Sequence, residues 1–110
     1  MMFEGSTLNS ETYLSDEIIS LPDGTPVEIT PPTGAGGYFM QIRPAGGTGA
    51  GIAFLRYGQA PDITARLGLV LVVDSPDGHW AGLETINIRK DHPFIQAVGL
   101  DAEAFIMWVA

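Results

Sequence analysis

The chain of 110 residues reads as all-β: a jelly-roll or immunoglobulin-like β-sandwich of about eight strands with an extended N-terminal arm. Three observations predict this. Turn signals recur about every ten residues, the spacing of a sheet protein. The segments between them alternate apolar and polar residues with the period of two that a half-buried strand requires. The fourteen glycines and eight prolines gather at the turn tips, where they supply positive φ and preset backbone angles, instead of filling a low-complexity tail.

Residues 1–15 form the expected arm and residues 16–110 the sandwich. The arm is rich in Ser, Thr and Asn, and its large apolar residues, Phe3, Leu8, Tyr13 and Leu14, follow no period that would bury them together. Strands are then expected over 16–21 and 25–30, separated by Pro22-Asp23-Gly24. Here proline presets the first central position, aspartate bonds back to the backbone, and glycine takes the positive φ. This tripeptide and Pro76-Asp77-Gly78 are each expected to close a hairpin. Tyr38, Met40 and Ile42 face inward from a third strand, with Gln41 and Arg43 outward. Gly46-Gly47-Thr48-Gly49-Ala50-Gly51 has no following Lys-Ser/Thr and leads into a strand, so it reads as a flexible hairpin tip and not a phosphate loop. Ile52 to Tyr57 is apolar on both faces. Ile63, Ala65 and Leu67 alternate against Asp62, Thr64 and Arg66, the clearest period of two in the chain. Leu67 to Val73 suits a strand buried on both faces. Ile86 and Ile88 oppose Thr85, Asn87 and Arg89; 94–98 and 105–110 complete the set. The one helical candidate, Asp101 to Trp108, is too rich in β-branched and aromatic residues to be preferred as a helix. A small closed barrel is the alternative architecture.

Composition bounds the function. A domain of this size buries roughly two-thirds of its unfolded surface and needs no staple. With no cysteine, thiolate nucleophiles, thiolate zinc sites and disulfides are excluded. Thirteen acids against five bases leave a net charge of -8, which repels polyphosphate, so no nucleic-acid partner is expected. No run approaches the ~18 apolar residues of a membrane span, and no basic start or apolar stretch marks a secretion signal, so neither membrane nor export signal is expected. The acids are concentrated: Glu4, Glu11, Asp16, Glu17, Asp23 and Glu28 lie in residues 1–28 without a base, whereas 29–61 hold Arg43 and Arg56 without an acid. Such segments attract each other within one subunit or between neighbours.

Chemical constellations are sparse. His79 and His92 are too few for a three-histidine metal centre from one chain. Asp91-His92 lacks a nucleophile elbow, and adjacent strand residues face opposite ways. Asp74, Asp77 and Glu84 have no spacing that favours sugar hydrolysis or calcium, and Asp77 already serves a turn. No enzymatic activity, metal or cofactor is expected. Trp80, Trp108 and Tyr57 are the aromatics for a sugar-stacking platform. Trp80 follows a turn and is the exposed candidate, while Trp108 sits in an apolar run and belongs to the core or a subunit interface.

The polar arm, Pro22-Asp23-Gly24-Thr25-Pro26, the strand Tyr38 to Arg43, the Gly-rich segment, the strand Ile52 to Gly58 and a last strand running to the C-terminus together resemble the small sandwich proteins of tailed-phage virions. The likeness spans roughly residues 16–110 in style and carries no diagnostic motif. It implies a capsid decoration or cement protein, usually a homotrimer, that contacts the major capsid protein on the virion surface. On that reading Phe3, Tyr13 and Leu14 in the arm are the binding residues. The competing expectation is a carbohydrate- or receptor-binding module of a phage tail or head fibre, built on Trp80, Tyr57 and loop carboxylates. A third, an acidic inhibitor that mimics nucleic acid, needs its charge on one exposed face, which the alternation does not show.

Overall fold

The computed structural model describes residues 12–75, 77–87 and 92–110, and for 83–87 the backbone alone. Eight strands lie among them: β1 Tyr13–Leu21, β2 Val27–Glu28, β3 Gly37–Pro44, β4 Gly49–Tyr57, β5 Leu69–Ser75, β6 Ala81–Asn87, β7 Pro93–Val98 and β8 Ala102–Val109. They form two four-stranded sheets, β1-β8-β3-β6 (sheet A) and β2-β7-β4-β5 (sheet B). Every ladder is antiparallel.

The pairing is nested: β1 with β8, β2 with β7, β3 with β6, β4 with β5. One long hairpin, its tip between β4 and β5, has rolled over until β8 meets β3 and β7 meets β4. This is the jelly roll, and it decides between the two sandwich topologies expected and against the closed barrel. Rolling also means that each connection except β4 to β5 passes from one sheet to the other.

Both Pro-Asp-Gly turns are therefore corners between sheets, not hairpin tips, and so is the Gly-rich link from β3 to β4. A turn's residues determine how sharply the chain reverses. They do not determine which strand it then pairs with, which depends on where the flanking apolar residues find cover. The first corner is latched by its aspartate: the Asp23 N–H donates to Asp101 Oδ1 at 2.8 Å while Asp23 Oδ1 accepts from the Gly99 N–H at 2.9 Å. The second packs on the Gly-rich link. A Cβ on Gly78 would stand 3.1 Å from the Gly47 carbonyl oxygen, so the close approach of the two corners requires glycine there.

The core lies between the sheets. Its largest members are Trp108 and Tyr38, whose rings meet edge to face at 5.0 Å, with Leu21, Ile29, Met40, Leu55, Ile95 and Ile106 around them. The inward row Tyr38, Met40, Ile42 is 1%, 2% and 4% exposed, as its alternation predicts. Residues 25–30 make a shorter strand than expected, Val27–Glu28, although Ile29 is fully buried.

The segment with the clearest alternation is not a strand. Residues 63–66 are a turn within the β4–β5 connection, closed by an isolated bridge between Asp62 and Leu67. Asp62 starts it: Oδ1 accepts from the Ala65 N–H at 3.0 Å, and the Arg66 N–H reaches the Ile63 carbonyl. An aspartate after proline offers the backbone this local bond, which wins over a ladder with no neighbour to complete it.

Candidate association surfaces

Alternation leaves each sheet a second face. On β3 and β8 the residues between the core positions, Phe39, Gln41, Arg43, Glu103, Phe105 and Met107, point outward and are half-buried. Register places Ile18 of β1 beside Phe105, and Phe105 beside Gln41; Asp16 lies beside Met107, and Met107 beside Phe39. The described outer face of sheet A thus carries an apolar strip, Ile18, Phe105, Met107 and Phe39, set among Asp16, Gln41, Arg43 and Glu103, with a shallow hollow of about 70 Å³ between Phe39, Phe105 and Met107. At its border Trp80 leans on Phe105 at 6.0 Å, and the Arg43 guanidinium covers the indole at 4.1 Å while donating to Glu103 at 2.8 Å. Stacking between cation and ring holds this corner flat.

Sheet B is more exposed. On β5 only Leu71, Val73 and Ser75 turn inward, and Val70 and Val72 stand 58% and 67% exposed beside Phe54 and Ile52 of β4. The expectation that Leu67 to Val73 is buried on both faces is corrected: β5 is an edge strand, and among the described residues none covers its outward row. Its free edge opens onto a cleft of about 240 Å³ floored by Met40, Ile42 and Leu71 and bounded by Ala81 and Gly82. That is below the size of a site for a drug-sized ligand and suits the side chains of another protein. Contiguous apolar surface of this kind marks association.

The structure disperses the residues singled out in the sequence. Phe3 lies outside the described residues, as does most of the arm. Tyr13 and Leu14 are not in an arm: they open β1, where Tyr13 pairs with Val109. Both are exposed, Tyr13 by 58% and Leu14 by 37%. The Tyr13 hydroxyl donates to Asp16 Oδ2 at 3.2 Å; partial desolvation first, and then this bond and the Asp16 charge, raise its pKa. Trp80 is half-buried under Arg43, Trp108 is fully buried, and Tyr57 ends β4, whose other end adjoins Ser75 on the Trp80 side. A nine-residue strand spans ~27 Å, so the three aromatics build no common sugar platform. The exposed pair Val70 and Val72 was the missed feature. Its signal was present in the uncharged run Leu69 to Val73.

Titratable groups are few and shallow. His92 Nδ1 lies 2.9 Å from Glu28 Oε2, and His79 Nδ1 lies 2.8 Å from Asp77 Oδ2, both near the surface. No group of three or more metal-ligating side chains occurs among the described residues. Nor is any helix among them long and apolar enough to cross a membrane. The backbone N–H of His79 is the main reason the Asp77 carboxyl sits below the ordinary carboxylate range; partial desolvation opposes it, and the His79 ring and charge add to it. Because the folded state favours the ionised form, this turn is held above pH 3.8, the ordinary value, and released as pH falls through the lower folded value. An NMR titration of Asp77 should give a midpoint under 3.8; a higher one contradicts the bond.

No family model and no curated protein matches the chain. Among solved structures, a chain from Bacillus endospore appendages, described as a novel family of disulfide-linked pili, is similar at 14% identity with a TM-score of 0.41, covering 99% of this chain and 96% of that one. At that score the likeness is one of general shape.

Proposed function

We propose that this protein is a structural, non-enzymatic subunit that associates with copies of itself and with a larger particle, and that the particle is a virion, with the protein decorating the capsid surface as a homotrimer bound to the major capsid protein. The observation that carries the reading is the apolar strip on the outer face of each sheet: Ile18, Phe39, Phe105 and Met107 on one, Ile52, Val70 and Val72 on the other. A freely soluble domain has no use for two such faces, whereas a subunit gripped by neighbours does. Several copies in a symmetric cluster bind the shell more tightly than one, since the linked contacts act together.

The test combines solution mass with co-sedimentation on candidate capsids. A monomer that ignores every particle overturns the reading. Deletion locates the contact. Because β1 begins at Tyr13, removal of residues 1–11 should leave the melting temperature unchanged and abolish particle binding if Phe3 is an anchor. Removal of 1–15 also strips the β1 pairing to Val109 and Trp108 and should lower stability as well. Full binding after the shorter deletion moves the contact from the arm to the sheet faces.

A further inference from the structure

Two strand edges, on opposite sides of the sandwich, share an unusual composition. Among the described residues, β1 is the free edge of sheet A on the side of β2, and β5 is the free edge of sheet B on the side of β6. Of the exposed large apolar residues, Tyr13, Leu14 and Ile18 lie on the first and Leu69, Val70 and Val72 on the second. A free edge presents a row of unpaired backbone groups, and proteins that remain monomeric blunt such edges with charge, proline or a covering loop. Here the outward residues of β5 are two valines followed by Asp74 at its end, and β1 carries Ile18 at 58% exposure.

The charges on the two sides are arranged differently. β1 carries Asp16 and Glu17 and no base. β5 carries Asp74, and the connection that leads into it carries Asp62 and Arg66; Arg56, on β4, donates to the Ala60 carbonyl of that connection. Arg66 is exposed and is the one non-glycine residue with positive φ among those described, at 60°. Of the carboxylates on that side, Asp62 is turned into its own loop through Ala65, and Asp74 stands at the far end of the strand.

We propose that β1 of one copy pairs with β5 of the next, joining sheet A of the first to sheet B of the second. The proposal rests on the structural reading above and names the contact by which copies associate. One such contact covers both apolar edges, closes the mouth of the cleft beside β5, and sets Asp16 and Glu17 against Arg66 when the strands run so that Asp74 lies at the far end. Two β1 edges together would bring four carboxylates into one seam. Two β5 edges together would leave Tyr13, Leu14 and Ile18 uncovered. Because the paired edges differ, the contact is head-to-tail: it closes into a ring, a trimer included, where the rotation permits, and otherwise continues as a filament.

Complementation between edge variants tests this. Ile18→Lys blocks β1 and Val72→Lys blocks β5; both sites are exposed, so melting temperatures should match the parent. Sedimentation velocity should show the parent self-associated and each variant monomeric, its self-affinity lowered by roughly a hundredfold or more. An equimolar mixture should form a one-to-one heterodimer that grows no further, because each variant retains the edge the other lacks. Tyr13→Lys with Leu69→Lys repeats the design should either first variant unfold.

Five results overturn the proposal. Dimers of Ile18→Lys alone identify a symmetric β5 contact, and dimers of Val72→Lys alone a symmetric β1 contact. Parent-like assembly of both places the contact elsewhere, and a mixture that stays monomeric shows that the edges do not recognise each other. A monomeric parent likewise removes this contact. Co-sedimentation of that same parent with the particle then decides the structural reading separately.

Discussion

Trp108→Ala lowers the stability of the domain by about 4 kcal/mol, a large share of the ~5–15 kcal/mol that a domain of this kind possesses. The indole is 0% exposed, meets Tyr38 at 5.0 Å with the planes at 64°, and donates from Nε1 to Glu17 Oε2 at 2.7 Å. It thus ties the last strand to the first, the outermost pair of the rolled hairpin. Truncation removes the largest single apolar burial, an edge-to-face contact, and the bond that fixes the acidic residue on β1. The melting temperature should fall by roughly 15–25 °C. Trp108→Phe separates the parts: it keeps an aromatic ring but has no donor, and Glu17 is exposed enough for water to replace the bond, so the cost should be about 1–2 kcal/mol. Urea unfolding followed by circular dichroism measures both. A Trp108→Ala unfolding free energy within about 0.5 kcal/mol of the parent, the range of neutral surface sites, contradicts a core role.

The inner half of the sandwich was legible because it is written by local rules. Tyr38, Met40 and Ile42 recur with a period of two, with Gln41 and Arg43 between and after them although Phe39 breaks the polar face, and they lie inside; Trp108 in its apolar run is core. What could not be read was pairing. Pro22-Asp23-Gly24 makes its turn, with the Thr25 N–H on the Pro22 carbonyl at 3.1 Å. Whether the chain then returns along β1 or crosses to sheet B depends on β7 and β8, some 70 residues away in sequence. Residues 63–67 carry the opposite lesson. Their period of two is better than that of most real strands here, yet Asp62 captures the Ala65 N–H and no partner strand lies alongside. The outward apolar residues were visible as low charge but were assigned to burial within the chain, since a sequence does not say which side of a strand its own fold leaves open. Val70 and Val72 fell on that side.

The same β4–β5 connection supplies the second large effect, Gly68→Val, which should cost about 3 kcal/mol. Gly68 has φ +152°, a backbone conformation that side-chain-bearing residues avoid, and a Cβ there would meet Phe54 Cβ at 3.2 Å and the Leu55 carbonyl oxygen at 3.4 Å. Phe54 points outward from β4 yet is only 8% exposed, and the glycine backbone is part of what covers it. A β-branched side chain adds backbone strain to this clash and relieves both by lifting the connection away, which uncovers the Phe54 ring. Arg66, Leu67 and Leu69 move with it, so the start of β5 loses the register that sets Val70 opposite Phe54. Stability and self-association should therefore fall together, in contrast to Val72→Lys, where association falls alone. Gly68→Ala keeps the strain with a smaller clash and should cost about 2 kcal/mol. Thermal melts and sedimentation on the two glycine variants check this. A Gly68→Val protein that melts with the parent shows that the backbone at this position is free to relax, and that Phe54 owes its burial to other neighbours.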